Sequence, residues 1–194
     1  MRNERPKAAE ILACAMSILR ERGDHGLTMR KVAEAAGISL GHLQHYFPTK
    51  NDVLTALVGL HFAQCTAALR DRIEGGQADS CEERVARLIA LGFEYAQDEQ
   101  TCCVFREFWA LSSRNAQVHA LLDVYYREYC AVITGFLEPF AKSPAAASAA
   151  TALLMPWLEG YTVTARALES DQEELASRLA ETLRWVLGSD RDLR

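Results

Sequence analysis

At 194 residues, 49% hydrophobic and 24% charged, the chain has the size and composition of one or two small globular domains. Its formal net charge of −5 is unevenly divided: residues 1–50 hold 8 Lys and Arg against 5 Asp and Glu (+3), and the remaining residues 13 against 21 (−8). No apolar run reaches the ~20 residues of a membrane span, and MRNERPKAAE is too charged for a secretory leader, so a cytoplasmic protein without a membrane partner is expected.

Helix signals recur along the chain, and strand signals are nearly absent. A first helix is expected from about Pro6 to Arg22, with Ile11, Leu12, Ala15, Ile18 and Leu19 on one face and a stop at Gly23. Thr28 then caps a short second helix carrying Val32, Ala33 and Ala36. Gly37 supplies a residue tolerant of the left-handed conformation, Ile38 an apolar plug, and Ser39 the cap of a third helix that carries Leu43, Tyr46 and Phe47 and stops at Pro48. Two short helices joined by a glycine turn are the layout of a helix-turn-helix, whose second helix enters the DNA major groove. The outward positions of that helix (Leu40, Gly41, His42, Gln44, His45) include no acid, and Arg30, Lys31 and Lys50 flank them. A basic end on an acidic chain fits a surface that meets phosphate.

Further helices follow. Thr49 and Asp52 form a capping-box variant that opens a fourth, running towards Gly75 and Gly76. Ser80 and Glu83 open a fifth. A sixth spans roughly Cys102 to Ser112, Ser113-Arg114-Asn115 is a loop, and a seventh runs from about Ala116 to Phe136. Ser143 and Pro144 begin an eighth, kinked at Pro156 and ending near Leu168. Ser170 and Glu173 box a ninth, with Leu175, Leu179, Leu183 and Leu187 at i, i+4 spacing and a stop at Gly188. The fold class is therefore all-α, about nine helices. Residues 1–48 are expected to form the DNA-binding domain and residues 49–190 a helical regulatory and dimerisation domain.

The stretch LTMRKVAEAAGISLGHLQHYFPTKNDVLTAL resembles the N-terminal signature of the TetR family of one-component bacterial regulators. Within that family SLGHLQHYFPTK is most similar to BetI-like members, as is FREFWALSSRNAQVHALLDVYYREY further on; neither match identifies an effector. The resemblance implies a homodimer on a palindromic double-stranded operator. It puts Leu40, Gly41, Gln44 and Arg30 at base edges, and Thr28, His42, His45, Tyr46 and Lys50 at the phosphate backbone, with Ser39 a further DNA-binding candidate. Gln44 is suited to adenine and Arg30 to guanine. His42 and Gln44 depart from the commonest family pattern of Thr and Tyr, so no operator sequence carries over.

The resemblance also implies that the last two helices dimerise, through Leu158, Leu175, Leu179, Leu183, Trp185 and Leu187. It places a pocket for a small-molecule effector among the middle helices, with Phe93, Cys102, Phe105, Arg106, Trp109, Tyr125, Tyr126, Tyr129, Trp157 and Tyr161 as candidates. Arg106 would suit an anionic ligand, an aromatic cage with Glu159 a cationic one, and plain core packing is a third reading. The expected function is a ligand-released repressor. The alternative is a helical ligand carrier that has lost operator binding. GxSxG, HExxH and P-loop motifs are absent, so no catalytic residue or cofactor is assigned. Cys14, Cys65, Cys81, Cys102, Cys103 and Cys130 show neither CxxC nor zinc spacing, and no metal site is expected; a redox role for Cys102 and Cys103 stays open.

Overall fold

The computed structural model describes residues 4–75, 80–167 and 171–188. Among these there are nine α-helices and no strand: α1 (Glu4–Gly26), α2 (Met29–Ala35), α3 (Leu40–Tyr46), α4 (Lys50–Glu74), α5 (Cys81–Gln97), α6 (Glu99–Ser112), α7 (Ala116–Leu137), α8 (Pro144–Thr164) and α9 (Gln172–Leu187). Gly76, Leu168 and Ser170 lie outside the described residues.

Most helix ends are set by the residues that the sequence marks. Gly23 breaks α1 with φ 61°, and Gly188 ends α9 with φ 78°. The Ser80–Glu83 box is complete in both directions. Thr49 and Asp52 also cap each other reciprocally, Thr49 N–H donating to Asp52 Oδ2 at 2.8 Å and Asp52 N–H to Thr49 Oγ1 at 3.2 Å.

Three ends differ from expectation. The sixth helix starts a turn earlier, at Glu99, because Asp98 Oδ1 accepts from the backbone N–H groups of Gln100 and Thr101. Asn115 is the cap of α7 rather than a plain loop residue, its Oδ1 accepting from the N–H groups of Gln117 and Val118. The cap of α9 is Asp171, which accepts from Glu173 N–H at 2.9 Å. α8 continues through Pro156, which lies exposed.

The chain packs as two compact units, each made of separated segments: residues 1–64 with 103–125, and residues 65–102 with 126–194. This differs from a division at residues 48 and 49, because α4, α6 and α7 each contribute to both units. In the first unit Ile11, Ala15, Leu19, Leu27, Val32, Leu43, Leu57, Val58 and Phe108 are all but inaccessible. In the second, Val85, Leu88, Ile89, Ile133, Leu137, Ala147, Ala150, Leu154, Leu183 and Leu187 form the core. α4 is long and apolar enough to cross a membrane, but its Val53, Leu57, Val58, Leu69 and Ile73 are buried in the protein.

The leucine ladder of α9 lies in this second core. Leu179, Leu183 and Leu187 are 9%, 0% and 0% exposed, and α9 packs on α5 and α8 of its own chain. Leu175 and Leu158 are partly buried against the same cluster, Leu158 lying over Gly92 where α5 and α8 approach closely. Of the six residues expected at a dimer interface only Trp185 is exposed, at 70%. An i, i+4 ladder marks a buried face without saying which chain buries it, and here the chain's own core does. Leu183→Ala should therefore cost about 2–5 kcal/mol in chemical denaturation, the range for a filled core position. Loss of dimer with undiminished protomer stability would place the ladder back on the outside.

Candidate nucleic-acid interface and effector core

α2 and α3 are held as a pair by few residues. The Thr28 hydroxyl accepts from Lys31 N–H at 3.3 Å, and the Ser39 hydroxyl from His42 N–H at 3.2 Å. Both candidate DNA contacts are thus committed first to capping. Gly37 turns the chain at φ 63°, and Ile38 N–H returns to Ala33 O at 3.0 Å. Leu43 is wholly buried and Phe47 nearly so, which orients α3.

That orientation leaves Gly41, His42, Gln44 and His45 exposed, with Leu40 and Tyr46 half-buried and Arg30 exposed on α2. The ring of Tyr46 lies 5.5 Å from that of His42 and 5.8 Å from that of His45. No acidic side chain stands on α3. A Cβ on Gly41 would meet nothing within 4 Å, so packing does not require glycine there. Its effect is to leave α3 backbone open to close approach.

Lys50 is differently placed from the other candidates. Its ammonium lies 2.7 Å from Asp24 Oδ1 and donates to Asp24 O at 2.7 Å. It straps the first turn of α4 to the end of α1, so a phosphate would have to compete with Asp24 for it.

The candidate effector residues fall into two groups. Phe105, Arg106, Trp109 and Tyr125 belong to the first unit. There Phe62 stacks on Tyr125 at 4.3 Å, and Phe105 and Phe108 surround His61 with centroids at 5.4 Å. Arg106 donates to Cys103 Sγ at 3.2 Å, and Trp109 is 39% exposed. Sequence reasoning missed His61 and Phe62, since one histidine on an apolar helix face gives no signal of what surrounds it. Burial, reinforced by the positive charge of Arg20, brings the His61 imidazole down to about 4.

Phe93, Cys102, Tyr126, Tyr129, Trp157 and Tyr161 belong to the second unit. Trp157 stacks on Tyr161 at 5.2 Å, and Phe93 meets both edge-on. Tyr126 donates its hydroxyl to Glu159 at 3.1 Å. Burial raises the Glu159 carboxyl above the ordinary carboxylate range, and the Tyr126 hydrogen bond opposes this. Burial first, and then Glu159, raises the Tyr95 hydroxyl and the Cys130 thiol and brings the Cys65 thiol to about 11; the Tyr129 hydroxyl is raised by burial, then by Cys65 and then by Glu159. These thiols are held protonated. Cys102 donates to Tyr95 O at 3.4 Å, and Cys103 lies in the other unit. Among the described residues no group of three or more His, Cys, Asp and Glu could hold a metal ion.

Two short capped helices, a left-handed glycine between them and an acid-free exposed second helix define a helix-turn-helix DNA-binding protein. Residues 11–57 match the family described as bacterial regulatory proteins, tetR family. An HTH-type transcriptional regulator from the dhlA 5' region of Xanthobacter autotrophicus is 33% identical over 181 residues, 91% of this chain and 88% of the relative. The HTH-type transcriptional regulator BetI of Serratia proteamaculans is 27% identical over 150 residues, 75% of each chain. The crystal structure of the regulator FadR from Bacillus subtilis in complex with stearoyl-CoA superposes with a TM-score of 0.68 at 20% identity, covering 90% of this chain and 96% of that one. The chain belongs to the TetR family of transcriptional regulators.

Two measurements check these placements. Gly41→Ala should raise stability by about 0.5–1 kcal/mol, through better helix propensity in open space, and at the same time weaken DNA binding; a stabilised variant binding as tightly as wild type would remove α3 from the interface. For His61 the folded group titrates near 4 and the unfolded one near 6.5. The unfolded chain therefore takes up the proton first, and stability falls as pH drops from 6.5 towards 4, by at most about 1.4 kcal/mol per pH unit. Urea midpoints at pH 7 and pH 5 should separate in wild type and converge in His61→Leu.

Proposed function

We propose that the protein is a homodimeric repressor that reads a palindromic operator through α3 and leaves it when a small effector binds the helical core. The exposed, acid-free face of α3 carries the reading. Gln44 and Arg30 are the side chains suited to bases, and Gly41 allows backbone approach. His42, His45 and Tyr46 suit phosphates, which position the protein without specifying sequence. A half-site reader needs its partner's reader about one DNA turn away, ~34 Å.

The dimer surface we assign is the outer face of α8 with Trp185, in place of the α9 ladder. Ala145, Ala149, Ala152, Leu153, Pro156, Gly160 and Val163 recur on one face of α8 and are all exposed, Leu153 at 49% and Val163 at 54%. The only charged residue in α8 is Glu159, which is half-buried. A second copy of the chain would cover this apolar face, and small side chains permit close helix approach.

The effector is read as an organic molecule held by aromatic side chains of the helical core. The similar fold of Bacillus subtilis FadR holds stearoyl-CoA, which supports reading the helical core as the effector site. By stabilising the state with widely spaced readers, an effector would release DNA in proportion to its preference for that state.

Purified protein should bind the DNA upstream of its own gene saturably, in the presence of nonspecific competitor and more weakly at higher salt. Equal, weak binding to target and competitor would favour the carrier reading. Gln44→Ala should relax base preference by about 1–3 kcal/mol at the contacted pair. Leu153→Arg should yield folded monomer in sedimentation and lose operator affinity; a variant still dimeric would place the interface elsewhere.

A further inference from the structure

We propose that Glu107, on α6, is a positioning residue for operator binding: it fixes the end of α1 and, through Asp24 and Lys50, the start of α4. The left-handed turn at Gly23 releases the N–H of Asp24 from the helix, and Glu107 Oε2 accepts it at 3.2 Å. The carboxylate lies directly on Gly23, since a Cβ there would come within 3.1 Å of Glu107 Oε1. Asp24 in turn holds Lys50 through both its carboxylate and its carbonyl, each at 2.7 Å. Lys50 opens α4, and only Phe47, Pro48 and Thr49 separate it from the last residue of α3. Proline leaves little freedom in so short a connection. Fixing Lys50 therefore fixes the exit of the reading helix.

The next residue of α4 is held from another side. Asn51 Oδ1 accepts from Asn115 Nδ2, and Asn51 Nδ2 donates to Gln117 Oε1. Asn115 is also the cap of α7, so α6 and α7 both grip the first turn of α4. Glu107 is the α6 member of this network, and it reaches the end of α1 through main chain. Glu107 and Asp24 are half-buried and the Lys50 ammonium is turned to Asp24, so their influence on DNA is through orientation.

The inference rests on α3 being the operator reader. The operator is first selected from random duplexes with wild-type protein. Affinities of wild type, Glu107→Ala and Glu107→Gln are then measured on that site and on an unrelated duplex. Alanine is favourable within a helix, so α6 should stay formed. Glu107→Ala should bind the selected site about tenfold more weakly, the scale of one lost charge-assisted hydrogen bond. Its affinity for the unrelated duplex should stay within about twofold, because phosphate contacts that ignore register supply nonspecific binding. Glu107→Gln should recover most of the loss, since its amide oxygen can still accept from Asp24 N–H. Equal affinity of Glu107→Ala and wild type for the selected site would overturn the positioning role alone. So would a parallel loss on both duplexes, which would signal a smaller folded fraction. Selection that enriches no sequence would overturn operator reading and this inference together.

Discussion

A helix of seven residues does not hold itself in water, because nucleation costs more than so few backbone hydrogen bonds return. α2 and α3 are both of this length, and the second carries the surface proposed to meet DNA. Their existence depends on tertiary contacts: Val32, Ala33 and Leu43 buried from within, Thr28 and Ser39 capping the starts, and Gly37 turning one helix into the next. The reading face is thus as well defined as the small core beneath it. This explains why the residues that build the motif and those proposed to touch DNA are largely different. Leu43 and Phe47 point in so that Gln44 and His45 point out.

The helix-turn-helix was legible because its determinants are local. Caps, a positive-φ glycine and a narrow apolar stripe all act within four residues of one another, and each has a residue type that performs it. The helix count was legible for the same reason. Three caps escaped: Asp98 and Asn115, because Asp and Asn serve loops as readily as helix starts and no periodic pattern begins at either, and Asp171, one residue after the Ser170 expected. The roles of Lys50 and the α9 leucines were not legible, because their partners are distant in sequence. The resemblance gives Lys50 as a phosphate contact but says nothing of Asp24, 26 residues away in sequence and 2.7 Å from its ammonium. The ladder Leu179, Leu183, Leu187 has the spacing of an interface helix and of a core helix alike, and only burial within one chain separates the two.

The candidate effector residues show a related limit. Aromatic content marks a core without dividing it, and the structure sorts these side chains into a cluster around Phe62 and Tyr125, a stack of Trp157 on Tyr161 with Phe93 edge-on, and a group beside Glu159 that includes Tyr126. The first holds the buried His61 and the last the half-buried Glu159, each shifted by desolvation towards its neutral form. Burial of an ionisable group costs stability unless something pairs with it. Tyr126 offers Glu159 a hydrogen bond but no charge. Arg106, which suggested an anionic ligand when read alone, is engaged with Cys103 and lies in the unit without Glu159.

Charge distribution decides which of the last two helices is fitted to meet a second copy. The outward side of α9 carries Glu174, Arg178 and Glu181, already linked in pairs along the helix at 2.8 Å and 3.4 Å. Exposed pairs of this kind contribute little while hydrated and would have to be desolvated if covered. The outward side of α8 offers alanines, Leu153, Pro156, Gly160 and Val163, which have no side-chain charge or hydrogen-bonding group to desolvate on contact. Apolar side chains so exposed gain on burial in proportion to the area covered, about 25 cal/mol per Å². The helix with the more conspicuous leucine repeat is therefore the worse interface, and the alanine-rich one beside it the better.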